Sequence, residues 1–207
     1  MKFHNHTMLF IYTKNKPMTQ SGHIAETSKE YEEVIRLCSD IFMKKMHDYG
    51  TAWRILRPTS ITDQIFIKAN RIRSIEEKGI SKVDEGVIPE FIGIINYAIM
   101  GLIQLERGPE EDNNREFIAN RYQHYFREAR QLMDNKNHDY DEAWRSMRIS
   151  SYTDLILMKI NRTRQIEDLK GDTLISEGID ANYYDMINYA VFALIRLVVE
   201  KENTHFK

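Results

Sequence analysis

HDYGTAWRILRPTSITDQIFIKANRIRSIE, residues 47–76, decides the fold, because the chain writes it again as HDYDEAWRSMRISSYTDLILMKINRTRQIE at residues 138–167. At the fixed offset of 91 (138 − 47) the copies agree at 17 of 30 positions, and about half of the agreements are charged. A hydrophobic core on its own would keep apolar character and let surface charges drift. Retention of His47, Asp48, Tyr49, Trp53, Arg54, Thr62, Asp63, Lys68, Arg71, Arg73 and Glu76 therefore points to a site, or a shared ion-pair scaffold, present twice.

Outward from this block the same three-part unit appears on both sides. Thr27-Ser28-Lys29-Glu30 has the form of a capping box. Behind it, Tyr31, Val34, Ile35, Cys38, Ile41 and Phe42 recur at helical spacing to about His47. Gly50 and Pro58 predict an irregular segment with a short helical turn around Trp53. A second helix is expected from Ser60 to Lys78, capped by Ser60 or Thr62, with Asp63 in the first turn where the helix dipole favours an anion. Gly79 stops it. A loop carrying Asp84 and Glu85 leads to Pro89, which suits the first turn of a third helix ending at Gly108. The second copy predicts helices over 114–135, 152–169 and 180–201, with an offset of 92 (171 − 79) past the loop. There IINYAIMGLIQL from Ile94 lies over MINYAVFALIRL from Met186, with seven of twelve positions identical.

No strand-like alternation of useful length occurs. The expected fold is all-α, a tandem duplication of a three-helix unit packed as a pseudo-twofold helical bundle. Repeat 1 spans 27–108 and repeat 2 spans 109–207 in one compact unit. Residues 1–26 read as an N-terminal extension, of which 1–17 precede a second plausible opening at Met18.

The 29 basic and 31 acidic residues nearly balance, so a general DNA or RNA binder is not indicated. Cys38 is the only cysteine and has Ala129 as its counterpart, which marks it as a small core residue. The apolar run Met8 to Tyr12 is too short for a signal peptide or a membrane span, so a cytoplasmic address with no membrane partner is expected. A homo-oligomer is left open.

Four features carry candidate chemistry. Lys68 and Arg71, mirrored by Lys159 and Arg162, leave one helix face a turn apart, as a phosphate-binding pair would; the same residues could form a solvated face tied to Asp63, Glu76 and Glu77. Glu177 and Asp185, with Asp154, are candidate magnesium ligands, and Glu177 and Asp185 the catalytic candidates. Asp63 and Glu85 are the metal-ligand candidates of the first copy. Asp185 faces Gly93 in the alignment, for which Glu90, one turn earlier, is a possible substitute, and acids at a helix start also serve as dipole partners. Tyr49, Tyr140, Tyr97 and Tyr189 could stack a nucleobase or line its pocket. Trp53 and Trp144 read better as staples between loop and bundle. His47 and His138 lack the spacing of a zinc site, and Asn96 and Asn188, inside apolar helices, require cross-helix hydrogen bonds.

The succession DYG-x-A-W, then D-x4-K-x-x-R, then an acid followed by D-x3-Y-A resembles the nucleotide modification associated domain 1 family, in tandem-duplicated form, over nearly all of residues 27–201. The resemblance implies a role in nucleotide modification or salvage. It also implies functional positions at Asp48, Tyr49, Asp63, Lys68, Arg71, Glu85 and Tyr97, and at Asp139, Tyr140, Asp154, Lys159, Arg162, Glu177, Asp185 and Tyr189. The chain departs from the pattern at Gly93, in place of Asp, and at Asp141, in place of Gly, so which copy functions stays open. A looser, architectural similarity is to the all-α nucleoside triphosphate pyrophosphohydrolases, whose acidic spacing is absent here. The resulting expectation is a nucleotide-handling protein acting as a magnesium-dependent nucleoside triphosphate (pyro)phosphohydrolase. The alternatives are a non-catalytic nucleotide sensor and a helical interaction scaffold.

Overall fold

The helical periodicity of both copies becomes, in the computed structural model, six α-helices with no strand among the described residues. Those residues are 20–79, 86–111, 114–140, 142–171 and 178–200, with side chains described from residue 26 onward except at 137–140. The expected extension 1–17, Glu85 and Glu177 lie outside them, as do the side chains of His138, Asp139 and Tyr140. The helices are α1 (Gln20–Tyr49), α2 (Pro58–Lys78), α3 (Ile88–Arg107), α4 (Arg115–Tyr140), α5 (Ile149–Asp168) and α6 (Ile179–Leu194). Short 3-10 turns at Ala52–Ile55 and Ala143–Ser146 carry the two tryptophans, and a π-helical turn at Ile195–Val199 follows α6.

Three helix starts, those of α1, α2 and α5, differ from the sequence reading. α1 begins at Gln20, so Thr27 to Glu30 is helix interior and not a capping box. Its polar residues serve a distant partner: Thr27 is buried and accepts a bond from Arg145 at 2.7 Å, and Glu30 accepts another at 2.5 Å. α2 begins at Pro58 behind an extended Arg57, so neither Ser60 nor Thr62 caps it and Asp63 falls in the second turn. α5 starts at the equivalent place without a proline. What fixes both starts is tertiary. Gln104 donates to the carbonyls of Arg54 at 2.9 Å and Leu56 at 2.5 Å, and its counterpart Arg196 donates to the carbonyl of Met147, pinning the preceding turn each time.

α2, α3, α5 and α6 form the centre, with α2 on α3, α5 on α6, α3 on α6 and α2 on α5, while α1 and α4 pack over one side. α3 is long and apolar enough to cross a membrane by composition alone, but its apolar surface is taken up inside the bundle. α3 and α6 approach closely at Gly101, where a Cβ would come within 2.7 Å of the Tyr183 ring.

The pseudo-twofold is written in reciprocal contacts. Asp63 accepts from Arg164 at 2.5 Å, and Asp154 accepts from Arg73 at 2.5 Å. Thr62 donates to Glu167 at 2.7 Å, and Thr153 donates to Glu76 at 3.0 Å. Each pair maps onto the other through the offset of 91, so α2 and α5 run antiparallel and present identical polar faces to each other. Tyr31 donates to Asn188 at 2.9 Å and Tyr122 to Asn96 at 2.7 Å, completing the buried cross-helix bonds required of both asparagines. The arginine–aspartate pairs are largely exposed and contribute roughly 0–1 kcal/mol each. Fully buried Ile65, Ala69, Ile72, Ile156, Ile160 and Thr163 supply the cohesion, and the polar pairs select the register. Burial pushes the Glu76 and Glu167 carboxyls above the usual glutamate value, with the threonine hydroxyls pulling the other way.

Two substitutions test this packing by denaturant or thermal melts. Thr62→Val keeps the shape but leaves the Glu167 carboxylate and the Tyr183 hydroxyl, 2.8 Å from the Thr62 oxygen, without a partner, and should cost about 1–3 kcal/mol. Gly101→Ala drives a methyl into the rigid Tyr183 ring and should cost about 1–3 kcal/mol. Unchanged midpoints would contradict the arrangement.

Candidate functional site

The end of α1, the turn carrying Trp53, the middle of α2 and the first half of α3 enclose a cavity of about 600 Å³. Its wall includes Phe42, Lys45, Tyr49, Ala52, Trp53, Lys68, Glu90, Gly93, Asn96, Tyr97 and Met100. Repeat 2 has a cavity of about 140 Å³ lined by Met133, Lys136, Ala143, Trp144, Asp185, Asn188, Tyr189 and Phe192. Every one of those residues is the counterpart of a residue lining the larger cavity: Phe42, Lys45, Ala52, Trp53, Gly93, Asn96, Tyr97 and Met100 in order. The two cavities are one site in two states of filling. Small-molecule sites commonly span roughly 300–1,000 Å³, which the first satisfies and the second does not.

Two substitutions between the copies place bulk or charge in the second cavity. Where repeat 1 has Gly93, repeat 2 has Asp185, whose carboxylate is 2.5 Å from Lys159 Nζ and 2.7 Å from Lys136 Nζ. Where repeat 1 has Met100, repeat 2 has Phe192, whose ring stacks on Trp144 at 4.3 Å with an interplanar angle of 8°. Burial opposes ionisation of Asp185, but the two ammonium groups outweigh it and hold the carboxyl below the usual aspartate range.

In repeat 1 the stem of Lys68 lies over Gly93, where a Cβ would come within 2.4 Å of it. That path carries Lys68 Nζ to 3.2 Å from Glu90, whose other oxygen is paired with Arg71. Glu90 thus takes the place of the missing aspartate, one turn earlier, as the sequence allowed. The outcome is a cationic wall with one internal counter-charge. Lys68 is 27% exposed against 8% for Lys159. Lys45, exposed on the same wall, makes no ion pair among the described residues, whereas its counterpart Lys136 is tied to Asp185.

The other expected site residues separate into two groups. Lys68, Tyr49 and Tyr97 line the larger cavity, Arg71 reaches it through Glu90, and Asp185 and Tyr189 line the smaller one, with Lys159 against Asp185. Arg162 is exposed on α5 and lines neither cavity. Asp63 and Asp154, the metal-ligand candidates on α2 and α5, each pair with an arginine of the opposite repeat at the α2–α5 interface. Magnesium needs oxygen ligands that converge. Among the described residues no three His, Cys, Asp or Glu side chains do so, and Asp185 faces two ammonium groups. Glu85 and Glu177, the other acidic candidates, lie outside the described residues. Burial also pushes the Cys38 thiol up, in keeping with an inert core residue.

Lys45 and Met100 were not among the expected site residues, and Glu90 entered only as a possible substitute for the missing aspartate. Lys45 had a signal: it matches Lys136 at the same offset, two residues ahead of the repeated block. Trp53, read as a staple, lines the open cavity half-buried, whereas Trp144 is a buried staple as expected.

Neither the curated proteins nor the solved structures returned a match to this chain. The family described as nucleotide modification associated domain 1 matches twice, over residues 45–105 and 136–197, and so includes most of the lining of both cavities and the α2–α5 interface. With both matches together spanning more than half of its length, the chain belongs to the nucleotide modification associated domain 1 family, in tandem form.

Proposed function

We propose that repeat 1 is a nucleotide-binding site and that repeat 2 is its internally filled structural counterpart. The observation that carries this is the contrast between equivalent cavities of about 600 and 140 Å³ built from the same wall positions. Lys45 and Lys68 meet the phosphates, with Arg71 and Glu90 behind them holding Lys68 in place. A phosphate competes well for Lys68, because a dianion offers more oxygen acceptors than a single glutamate does. Trp53, Tyr49 and Tyr97 supply flat apolar surface for the base. The family's association with nucleotide modification supports a nucleotide over other anions. Binding is the part of the expected activity that these side chains support; hydrolysis, with magnesium brought as the counter-ion of a triphosphate, is the finer reading that the same samples test.

A second reading, in which both repeats are scaffold, is favoured by one observation: Lys159 is closed onto Asp185, and Lys68 onto Glu90. The readings diverge in solution. With magnesium present, a nucleoside triphosphate at a hundred times its Kd should stabilise the protein by about 2.7 kcal/mol. For a chain of this size that is a rise in Tm of roughly 5–10 °C. Lys45→Ala should weaken binding at least about tenfold, since a charge-assisted hydrogen bond is worth roughly 1.5–3 kcal/mol. No thermal shift with any nucleotide would leave the scaffold reading standing. Release of phosphate or pyrophosphate from the same samples would extend the function to catalysis.

Repeat 2 should respond as structure. Asp185→Asn leaves Lys159 buried against Lys136 without a counter-charge and should cost about 3 kcal/mol or more, without lowering nucleotide affinity. Because the Asp185 carboxyl ionises more readily folded than unfolded, its contribution is complete above about pH 4 and is lost as pH falls through the lowered native value. Stability against pH should therefore fall less steeply below about pH 4 in Asp185→Asn than in the unaltered protein.

A further inference from the structure

Repeat 2 contains, as its own side chains, an outline of what repeat 1 binds. In the smaller cavity a flat ring, Phe192, lies on Trp144 at 4.3 Å with an interplanar angle of 8°. In the same cavity a carboxylate, Asp185, lies between the ammonium groups of Lys136 and Lys159 at 2.7 and 2.5 Å. Repeat 1 retains the receiving residues, Trp53, Lys45 and Lys68, and lacks both occupants, having Met100 and Gly93 instead. Taking the ring and the carboxylate out of one copy leaves the wall that repeat 1 presents, where the unbranched Met100 stands at the ring's position and the flexible Lys68 stem, in place of a carboxylate, lies over Gly93.

Resting on the nucleotide-binding reading of the repeat 1 cavity, we infer that its ligand places a nucleobase on Trp53 where Phe192 stands in repeat 2, and a phosphate between Lys45 and Lys68 where the Asp185 carboxylate stands. The two occupants fix the ligand's length as well as its ends. Asp185 and Phe192 are seven residues apart (192 − 185) on one face of α6, or roughly 10 Å along the axis. A nucleoside carrying a phosphate chain reaches that far, and neither a free base nor an inorganic phosphate does. The aromatic end is set for stacking and not for hydrogen-bond readout, since Trp53, Tyr97 and Met100 offer broad apolar surfaces there. The site therefore ranks ligands by possession of both ends before it ranks them by base.

Isothermal titration of the full chain tests this with three probes: each of the four common ribonucleoside triphosphates, the matching nucleosides, and inorganic tripolyphosphate. At least one triphosphate should bind with one site per chain, and its nucleoside and tripolyphosphate should each bind at least tenfold more weakly. Met100→Phe, which rebuilds the Phe192 plug, should weaken the nucleotide at least tenfold and leave tripolyphosphate unaffected. Gly93→Asp, which rebuilds the Asp185 plug by displacing only the flexible Lys68 stem, should weaken both. The reverse graft, Asn182→Glu with Asp185→Gly and Phe192→Met, should open the second cavity and raise the stoichiometry from one to two. If that graft fails to fold, the two plugging variants still decide the matter. Tripolyphosphate binding as tightly as the nucleotide, or nucleotide affinity indifferent to Met100→Phe, would overturn the ring subsite while leaving an anion site in the cavity. Failure of every triphosphate to bind would remove the underlying reading itself.

Discussion

The antiparallel meeting of α2 with α5 is the constraint on which the rest of the molecule depends. A duplicated sequence can bury its apolar helix faces against its own copy in many registers, since isoleucine against isoleucine is nearly indifferent to a shift by one turn. The reciprocal pairs are not indifferent. Asp63 with Arg164 and Arg73 with Asp154, together with Thr62 with Glu167 and Glu76 with Thr153, are all formed in one register and lost together in others. Individually they add little stability, because the arginine pairs are solvated. Collectively they penalise misalignment, which would leave half-buried Glu76 and Glu167 without hydrogen-bond donors.

That register fixes the positions of Lys68 and Lys159, midway along α2 and α5 near the symmetry axis, and so determines that each repeat builds its own cavity on its own third helix. Symmetry of the scaffold does not carry over to the sites. A single aspartate decides how the central lysine is neutralised: from directly across the cavity in repeat 2, by Asp185, or from one turn away in repeat 1, by Glu90. The first choice closes the site, and the second leaves cationic groups on the rim of an open one. Gly93 is permissive in a literal sense, since the Lys68 stem occupies the volume where a side chain would begin. Gly93 thus falls in the copy whose cavity is open, and the copy with Asp185 at the equivalent position is the one that is filled.

Duplication also explains why the polar identities were informative and yet misleading. Thr62, Asp63, Arg73 and Glu76 persist in both copies because an isologous interface needs the same residues twice, once from each side. Lys68 and Lys159 persist away from that interface, each paired with an acid of its own third helix. Both causes leave the same trace in a sequence, a charged residue kept at a fixed offset, and spacing along α2 cannot distinguish the face toward α5 from the face toward α3. The capping-box pattern at Thr27 to Glu30 misled for a related reason. Its hydroxyl and carboxylate were read as local partners of a helix start, while their actual partner, Arg145, is more than a hundred residues away.

The sequence by itself determined the duplication, the all-α class, the three helices per repeat, the turns at Trp53 and Trp144, and the requirement that Asn96 and Asn188 find buried partners. These follow from periodicity, from glycine and proline placement and from the cost of an unsatisfied buried amide, all of which act over short stretches of chain. Only the tertiary structure decided that Asp63 and Asp154 face arginines of the other repeat, that Lys45 joins Lys68 on one wall, and that one cavity is open while its twin is filled. Those outcomes depend on which side chain reaches a shared volume first, and such competition between residues distant in sequence has no signature in spacing.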